Sequence, residues 1–142
     1  MKAVLTIMAV VIIAVAGLLL WSVKTNAPTT SQPTSTLSVI SLENFSPGTV
    51  AQSPLTLSGV APGPWYFEAS FPVRVQDEEG NVLGVGIAQA QEDWMQEGPV
   101  PFKVTIEFEQ PTTQTGLVVF QKDNPSGLPE FDAQETISVR FE

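Results

Sequence analysis

Residues 65–75 alternate between apolar and other side chains with a period of two, and this stretch constrains the fold more than any other. It reads Trp-Tyr-Phe-Glu-Ala-Ser-Phe-Pro-Val-Arg-Val, and every odd position is apolar. A period of two over this length is typical of an extended strand with one buried face, whereas a helix would scatter the aromatic residues around its circumference. The stretch therefore predicts a β domain with this strand near its centre and Trp65 in its core.

Further short stretches between residues 37 and 142 show the same alternation and are separated by turn residues. The clearest runs from Val100 to Phe108, where the even positions are predicted to point inward. No part of residues 37–142 shows the 3.6-residue period of an amphipathic helix. About seven or eight short strands in about 100 residues indicate an all-β fold, an antiparallel β-sandwich.

The turn at residues 78–80 sets the expected register of the hairpin that leads out of the central strand. A three-residue loop with Gly80 in the left-handed conformation pairs Asp77 with Asn81. Continuing this register places three apolar residues of the second strand opposite the core residues of the first strand. These three residues are Leu83, Val85 and Ile87. The prediction puts Gly84 and Gly86 on the other face.

The composition excludes several classes of chemistry. The chain has no Cys and no His, which removes disulfides, thiol nucleophiles, lipid-modified Cys and the usual zinc sites. Without a His base or a nucleophile motif we predict a protein that is not an enzyme and uses no cofactor or metal. Residues 77–81 are acidic but do not have the ligand spacing of a calcium-binding loop, so a solvated turn is the preferred interpretation. The formal charge of −9 argues against nucleic acid as a partner.

The N-terminal region predicts export. Residues 3–23 are almost entirely apolar and follow Lys2, so we expect residues 1–23 to be an N-terminal transmembrane helix with the rest of the chain outside the cytoplasm. A cleaved signal sequence is the alternative, which would leave a secreted protein. Residues 24–36 are rich in Thr, Ser and Pro and are expected to be an extended linker. The β domain is assigned to residues 37–142.

Several segments resemble the bacterial spore germination immunoglobulin-like domain, a family often found beside the germination protein GerM. The most specific is residues 65–73, and shorter likenesses lie at residues 53–55, 59–61, 77–80, 94–98, 101–102 and 124–129. The resemblance implies an immunoglobulin-like sandwich in the bacterial cell envelope, with adhesion or wall binding as the usual suggestion. The chain has neither a GerM domain nor a Cys for lipid attachment, so the fold is carried over and a role in germination is not.

The predicted outer face of the central strand is the first candidate binding surface. Tyr66 lies on that face with Glu68 and Arg74, and in the expected hairpin register it adjoins Gly84 and Gly86. Small residues beside an aromatic ring would leave a flat shelf suited to a sugar chain or a partner strand. The alternative is that the glycines allow bulges or that another strand covers this face.

The loop at residues 92–98 is the second candidate, because Trp94 lies there among three carboxylates. The competing interpretation is that Trp94 and Met95 close the end of the sandwich while the acids face water. From these features we expect a non-catalytic, membrane-tethered binding module of the cell envelope for cell-wall polysaccharide or an envelope protein. A structural spacer without a ligand is the main alternative, and a wall polysaccharide hydrolase is a remote one.

Overall fold

The alternating stretches form strands, and the computed structural model describes residues 38–142. Seven β-strands follow one another: β1 (Ser41–Leu42), β2 (Leu55–Pro62), β3 (Ser70–Asp77), β4 (Val82–Ala90), β5 (Pro99–Ile106), β6 (Thr115–Gln121) and β7 (Gln134–Arg140). Two short 3₁₀ helices, Gly63–Trp65 and Pro129–Phe131, lie in the connections. The described part of the chain contains no helix long and apolar enough to cross a membrane. The predicted transmembrane helix and linker lie outside the described residues.

The seven strands form one antiparallel sheet in the order β1-β2-β5-β4-β3-β6-β7. The sheet curls because β4 pairs with β3 along most of its length and with β5 only at Gln89 and Ala90. This turns β1, β2 and β5 to face β3, β6 and β7 across one core. The all-β, antiparallel prediction is therefore confirmed, with a continuous curled sheet in place of two separate sheets.

The segment between β1 and β2 closes the curl. β1 pairs with β2 at one end of the sheet, whereas Val50 forms a parallel bridge to Arg140 of β7 at the other end. The Ala51 N–H donates to the Arg140 carbonyl at 2.8 Å, and the Arg140 N–H donates to the Thr49 carbonyl at 3.0 Å. Both ends of the sheet are thus covered by the same N-terminal part of the domain, which limits exposed strand edges.

Aromatic residues from both sides of the curl meet in the core. The fully buried rings of Phe71 and Phe102 pack edge to face with their centroids 5.2 Å apart, and Phe102 contacts Phe120 at 6.0 Å. The even positions from Val100 to Ile106 are all buried, which confirms the parity predicted for β5. Edge-to-face aromatic pairs and buried aliphatic area are the main source of stability in a domain without disulfides.

The central strand begins later than the sequence predicts. Strand β3 starts at Ser70, and residues 66–69 form a tight turn in which Phe67 and Ser70 exchange two backbone hydrogen bonds of 3.0 and 3.1 Å. Glu68 and Ala69 both have positive φ, 49° and 62°. Because this turn interrupts the strand, the alternation of residues 65–69 does not reflect one face of a sheet.

The register of the β3–β4 hairpin also differs from the prediction. The turn is as expected, with the Asp77 N–H donating to the Asn81 carbonyl at 3.0 Å. A bulge then inserts Leu83, so that Val75 lies opposite Gly84 and Phe71 opposite Ala88. The prediction that Val85 and Ile87 face the core is wrong, since these side chains are 55 % and 49 % exposed.

The glycines of β4 explain why this register is preferred. A side chain at Gly86 would come within 2.6 Å of Ile106 and 2.8 Å of Val104, and one at Gly84 would meet the Glu107 carbonyl at 2.3 Å. Strand β5 and the residues just after it therefore approach the inner side of β4 so closely that neither position has room for a Cβ. The bulge puts the glycines inside and the β-branched residues outside.

Candidate functional site

Tyr66, the aromatic residue of the first candidate surface, lies in the core. It is only 4 % exposed, its ring packs edge to face on Phe71 at 5.0 Å, and its hydroxyl donates to the Val100 carbonyl at 2.8 Å. Burial raises the pKa of the Tyr66 hydroxyl above its ordinary value. The prediction that Tyr66 faces solvent is wrong, because the turn after it reverses the parity on which the prediction depended.

The remaining residues of that surface are dispersed. Glu68 is exposed at the tip of the turn, and Arg74 lies on the side of β3 that faces away from the core. Gly84 and Gly86 face inward, on the opposite side of the sheet from Arg74. The structure does not bring these four residues together with Tyr66, and the predicted aromatic shelf does not exist. Trp65, in contrast, is 7 % exposed and packs on Phe71, as predicted.

The loop that follows β4 holds Trp94 against the domain. Trp94 is partly buried against the core, whereas Met95 is 75 % exposed. The loop lies directly on Gly63, where any side chain would collide with the Gln96 carbonyl. A hollow of about 360 Å³ beside this loop is lined in part by Tyr66 and Trp94. The interpretation that Trp94 closes one end of the domain fits these contacts, but Met95 does not share that role.

The acidic turn at residues 77–81 uses its carboxylate internally. Asp77 is 4 % exposed and accepts hydrogen bonds from the Asn81 side chain at 2.8 Å and from the N–H groups of Asn81 and Glu79 at 2.8 and 3.0 Å. The Asn81 side chain, followed by backbone N–H groups, lowers the pKa of Asp77, against the effect of burial. Within residues 38–142 no cluster of acidic side chains is arranged to hold a metal ion.

An apolar surface that the sequence analysis did not predict lies on the outer side of β3, β4 and β6. In the observed registers five apolar residues surround Arg74 on this side of the sheet. They are Pro72, Val85, Ile87, Leu117 and Val119. We refer to these five residues and Arg74 as the outer face. Val85, Ile87 and Leu117 are at least one-third exposed, whereas Val119 is covered, with Arg74 paired beside it.

The outer face differs from the rest of the domain in charge. All fifteen acidic residues and four of the six basic residues lie within residues 38–142, which therefore carry a formal charge of −11. The outward-facing strand positions on this side nevertheless carry no carboxylate. Those that are not apolar carry Gln, Ser or Thr, apart from Arg74 and Arg140. Glu78 in the β3–β4 turn lies at the edge of this side, where its carboxylate accepts a hydrogen bond from the Thr115 hydroxyl.

Arg74 is at the centre of this face and has no acidic partner in the described part of the chain. It lies between Val85 on β4 and Val119 on β6 in the cross-strand row. Within residues 38–142 no carboxylate oxygen lies within 4.0 Å of its guanidinium. An arginine stem can cover apolar neighbours while its head remains available for hydrogen bonds. An apolar centre with one Arg and a polar rim, which here includes Arg140 and the Glu78 carboxylate, is the composition of a protein contact surface.

The sequence contained one signal for this surface. The pattern Gly84-Val85-Gly86-Ile87-Ala88 permits two parities, and only the small residues fit against a closely packed strand. Choosing the parity from the glycines would have placed Val85 and Ile87 outside.

Comparison with known proteins gives one family. A model described as the immunoglobulin-like domain of bacterial spore germination, Gmad2, matches residues 39–128. Neither a curated protein nor a solved structure matches the chain.

Proposed function

The chain belongs to Gmad2, the immunoglobulin-like domain family of bacterial spore germination, and on this premise we propose that it is a non-catalytic, membrane-tethered module of the cell envelope that makes protein–protein contacts. The domain is immunoglobulin-like, with seven antiparallel strands in a curled sheet. The proposal adds a location outside the cytoplasm and a class of partner.

The outer face is the observation that carries the proposal. Three aliphatic side chains, Val85, Ile87 and Leu117, lie exposed on one side of an antiparallel sheet around Arg74. Clustered exposed apolar groups with a polar rim are characteristic of contact surfaces, whereas isolated ones are common on any protein. An exposed face of a sheet offers another protein a broad contact, whereas small molecules favour enclosed pockets.

Cell-wall polysaccharide is a weaker candidate partner than a protein. Proteins that bind sugars commonly stack an exposed aromatic ring on the sugar face, and the residue expected to do so, Tyr66, is buried and hydrogen-bonded. No aromatic residue lies among the outward positions of β3, β4, β6 and β7. The outer face therefore favours an envelope protein over a wall polymer.

The membrane tether in this proposal comes from the sequence. Residues 3–23 are long and apolar enough to span a bilayer and follow Lys2, which orients the rest of the chain outward. N-terminal sequencing of the membrane fraction should find the chain beginning at or next to Met1. A chain that begins near Gly17 or Pro28 would instead indicate a cleaved signal sequence and contradict the tether.

A variant-dependent pull-down tests the proposed protein contact. The full chain in detergent is incubated with solubilised envelope proteins and, separately, with purified peptidoglycan. We expect protein retention that Leu117→Asp abolishes and that Met95→Asp preserves, because Met95 is more exposed than Leu117 but lies in the loop after β4. Retention on peptidoglycan in place of protein would refute the proposal, and an absence of any retained protein would favour a structural spacer.

A further inference from the structure

Two side chains of opposite charge, Glu78 and Arg140, border one hollow of about 450 Å³ where β6 begins and β7 ends. Thr115 and Leu117 of β6 line the same hollow. Glu78 directly follows β3, Thr115 begins β6 and Arg140 ends β7, and these three strands are neighbours in the sheet. Because neighbouring strands lie about 4.8 Å apart, the backbones of Glu78 and Arg140 are separated by about 10 Å. The two charges therefore lie on opposite sides of β6.

The two charges do not form an ion pair with each other. Within residues 38–142 no carboxylate oxygen lies within 4.0 Å of the Arg140 guanidinium. The Thr115 hydroxyl donates to one oxygen of the Glu78 carboxylate, and the Arg140 Nε–H donates to the Gly48 carbonyl at 2.8 Å. Neutral partners thus hold both groups in place. In the described part of the chain the second Glu78 oxygen and the two terminal nitrogens of Arg140 have no hydrogen-bond partner.

The groups that remain available determine which ligand the hollow suits. The two terminal nitrogens of a guanidinium can bind both oxygens of a carboxylate, and a carboxylate oxygen accepts a hydrogen bond from an ammonium group. Leu117 is 36 % exposed and offers an apolar contact between Arg140 and Glu78. The hollow is therefore complementary to a molecule that carries a carboxylate, an ammonium group and an aliphatic side chain.

The surrounding charge disfavours a ligand with only one of the two charged groups. Residues 38–142 carry a formal charge of −11, so a simple anion is repelled both by the domain and by Glu78. A simple cation meets Arg140. A zwitterion has no net charge and pairs with both groups. A peptide of two residues separates its charged ends by about 3.3–3.6 Å more than a single amino acid does, which suits charges on opposite sides of a strand.

We propose that this hollow binds a short zwitterionic peptide. The peptide carboxylate lies against Arg140, its ammonium group lies against Glu78, and an aliphatic side chain lies on Leu117. The site goes beyond the proposed protein contact and does not depend on it, because a defined peptide and the purified chain are sufficient to test it.

A set of four probes tests the proposal by isothermal titration calorimetry on the full chain in detergent. The dipeptide glycyl-leucine carries both charged ends, N-acetyl-glycyl-leucine lacks the ammonium group, glycyl-leucinamide lacks the carboxylate, and free leucine is one residue shorter. We expect saturable binding of glycyl-leucine. Each blocked analogue loses one hydrogen-bonded charge and should bind about tenfold more weakly or worse. Free leucine should also bind more weakly than glycyl-leucine.

Two variants identify which group each end of the peptide contacts. Glu78→Gln should weaken the binding of glycyl-leucine and abolish the discrimination against N-acetyl-glycyl-leucine, while the discrimination against glycyl-leucinamide persists. Arg140→Gln should do the reverse. Glu79→Gln and Lys103→Gln make the same charge changes at exposed positions that do not line the hollow, and they should leave all four titrations unchanged.

Three results would overturn the proposed site: no saturable binding of glycyl-leucine, equal binding of the dipeptide and its blocked analogues, or a Glu78→Gln variant that still discriminates against the N-acetyl form. The Glu78→Gln titrations decide the matter if Arg140→Gln fails to fold by circular dichroism, because Arg140 also bonds Gly48. Failure of the envelope-protein pull-down would contradict the proposed protein contact and leave these titrations unaffected.

Discussion

At the scale of single residues, two buried polar side chains show how the domain uses polar groups for its fold. Tyr66 and Asp77 are each 4 % exposed, and each is satisfied by hydrogen bonds within the chain. Buried polar groups that keep partners stabilise one packing arrangement, whereas their removal leaves an unpaired group behind. Neither residue therefore presents its polar group to an external ligand, and both make predictions about stability.

Replacement of Tyr66 should destabilise the domain. Tyr66→Ala deletes a buried aromatic ring and is expected to lower the free energy of unfolding by about 3–5 kcal/mol. Tyr66→Phe keeps the ring but removes the donor to the Val100 carbonyl, with an expected loss of about 1 kcal/mol. Urea unfolding followed by fluorescence measures both. A Tyr66→Ala variant as stable as the parent would show that Tyr66 faces solvent after all.

Asp77 should make stability depend on acid pH. Its pKa in the folded domain is lowered from the ordinary value of 3.8, chiefly by the Asn81 side chain. A lowered carboxyl pKa contributes stability that is present above the unfolded pKa and is lost as the pH falls through the folded pKa.

The parent and Asp77→Asn domains should therefore differ most in unfolding free energy above about pH 4 and converge below it. Melting curves across this range test the prediction. A difference that does not change with pH would mean that Asp77 acts through its shape and not through its charge.

At the scale of elements, the turn between the first 3₁₀ helix and β3 and the bulge in β4 decide which faces are buried. Residues 100–106 could be assigned from sequence because β5 is regular and its alternation reports burial directly. Tyr66 and Phe67 could not, because Glu68 and Ala69 continue the apparent alternation through a turn without Gly or Asn. The parity of β4 was missed because the prediction continued the register from the turn and placed the apolar residues inside, whereas a bulge adds a residue and Gly84 and Gly86 take the inner positions.

Relief of the left-handed conformation in that turn should stabilise the domain. Ala69 has a φ of 62°, which is unfavourable for a residue with a Cβ by about 1–2 kcal/mol. Ala69→Gly removes this cost but increases the flexibility of the unfolded chain, for a net gain of about 0.5–1 kcal/mol. Thermal unfolding measures the change, with Ala88→Gly as a control in regular strand that is expected to destabilise. A lower melting temperature for Ala69→Gly would contradict the left-handed geometry.

At the scale of the whole molecule, one side of the sheet is set apart from an otherwise acidic domain. The fold class followed from alternation and turn residues, and the family model agrees with it. The outer face could not be found in the same way, because it exists only when the β4 bulge places Val85 and Ile87 outside and the β3–β6 register puts Leu117 and Val119 beside them. A surface formed by three strands depends on registers that no single stretch of sequence specifies.

The central claim is that Val85 and Ile87 lie outside and Ala88 inside, and thiol labelling of the Cys-free chain tests it most directly. Single Cys variants at Val85 and at Ala88 are treated with a maleimide under native conditions and again in denaturant. The account predicts rapid native labelling at position 85 and protection at position 88 until the domain unfolds. Protection at position 85 with rapid labelling at position 88 would restore the unbulged register and remove the outer face.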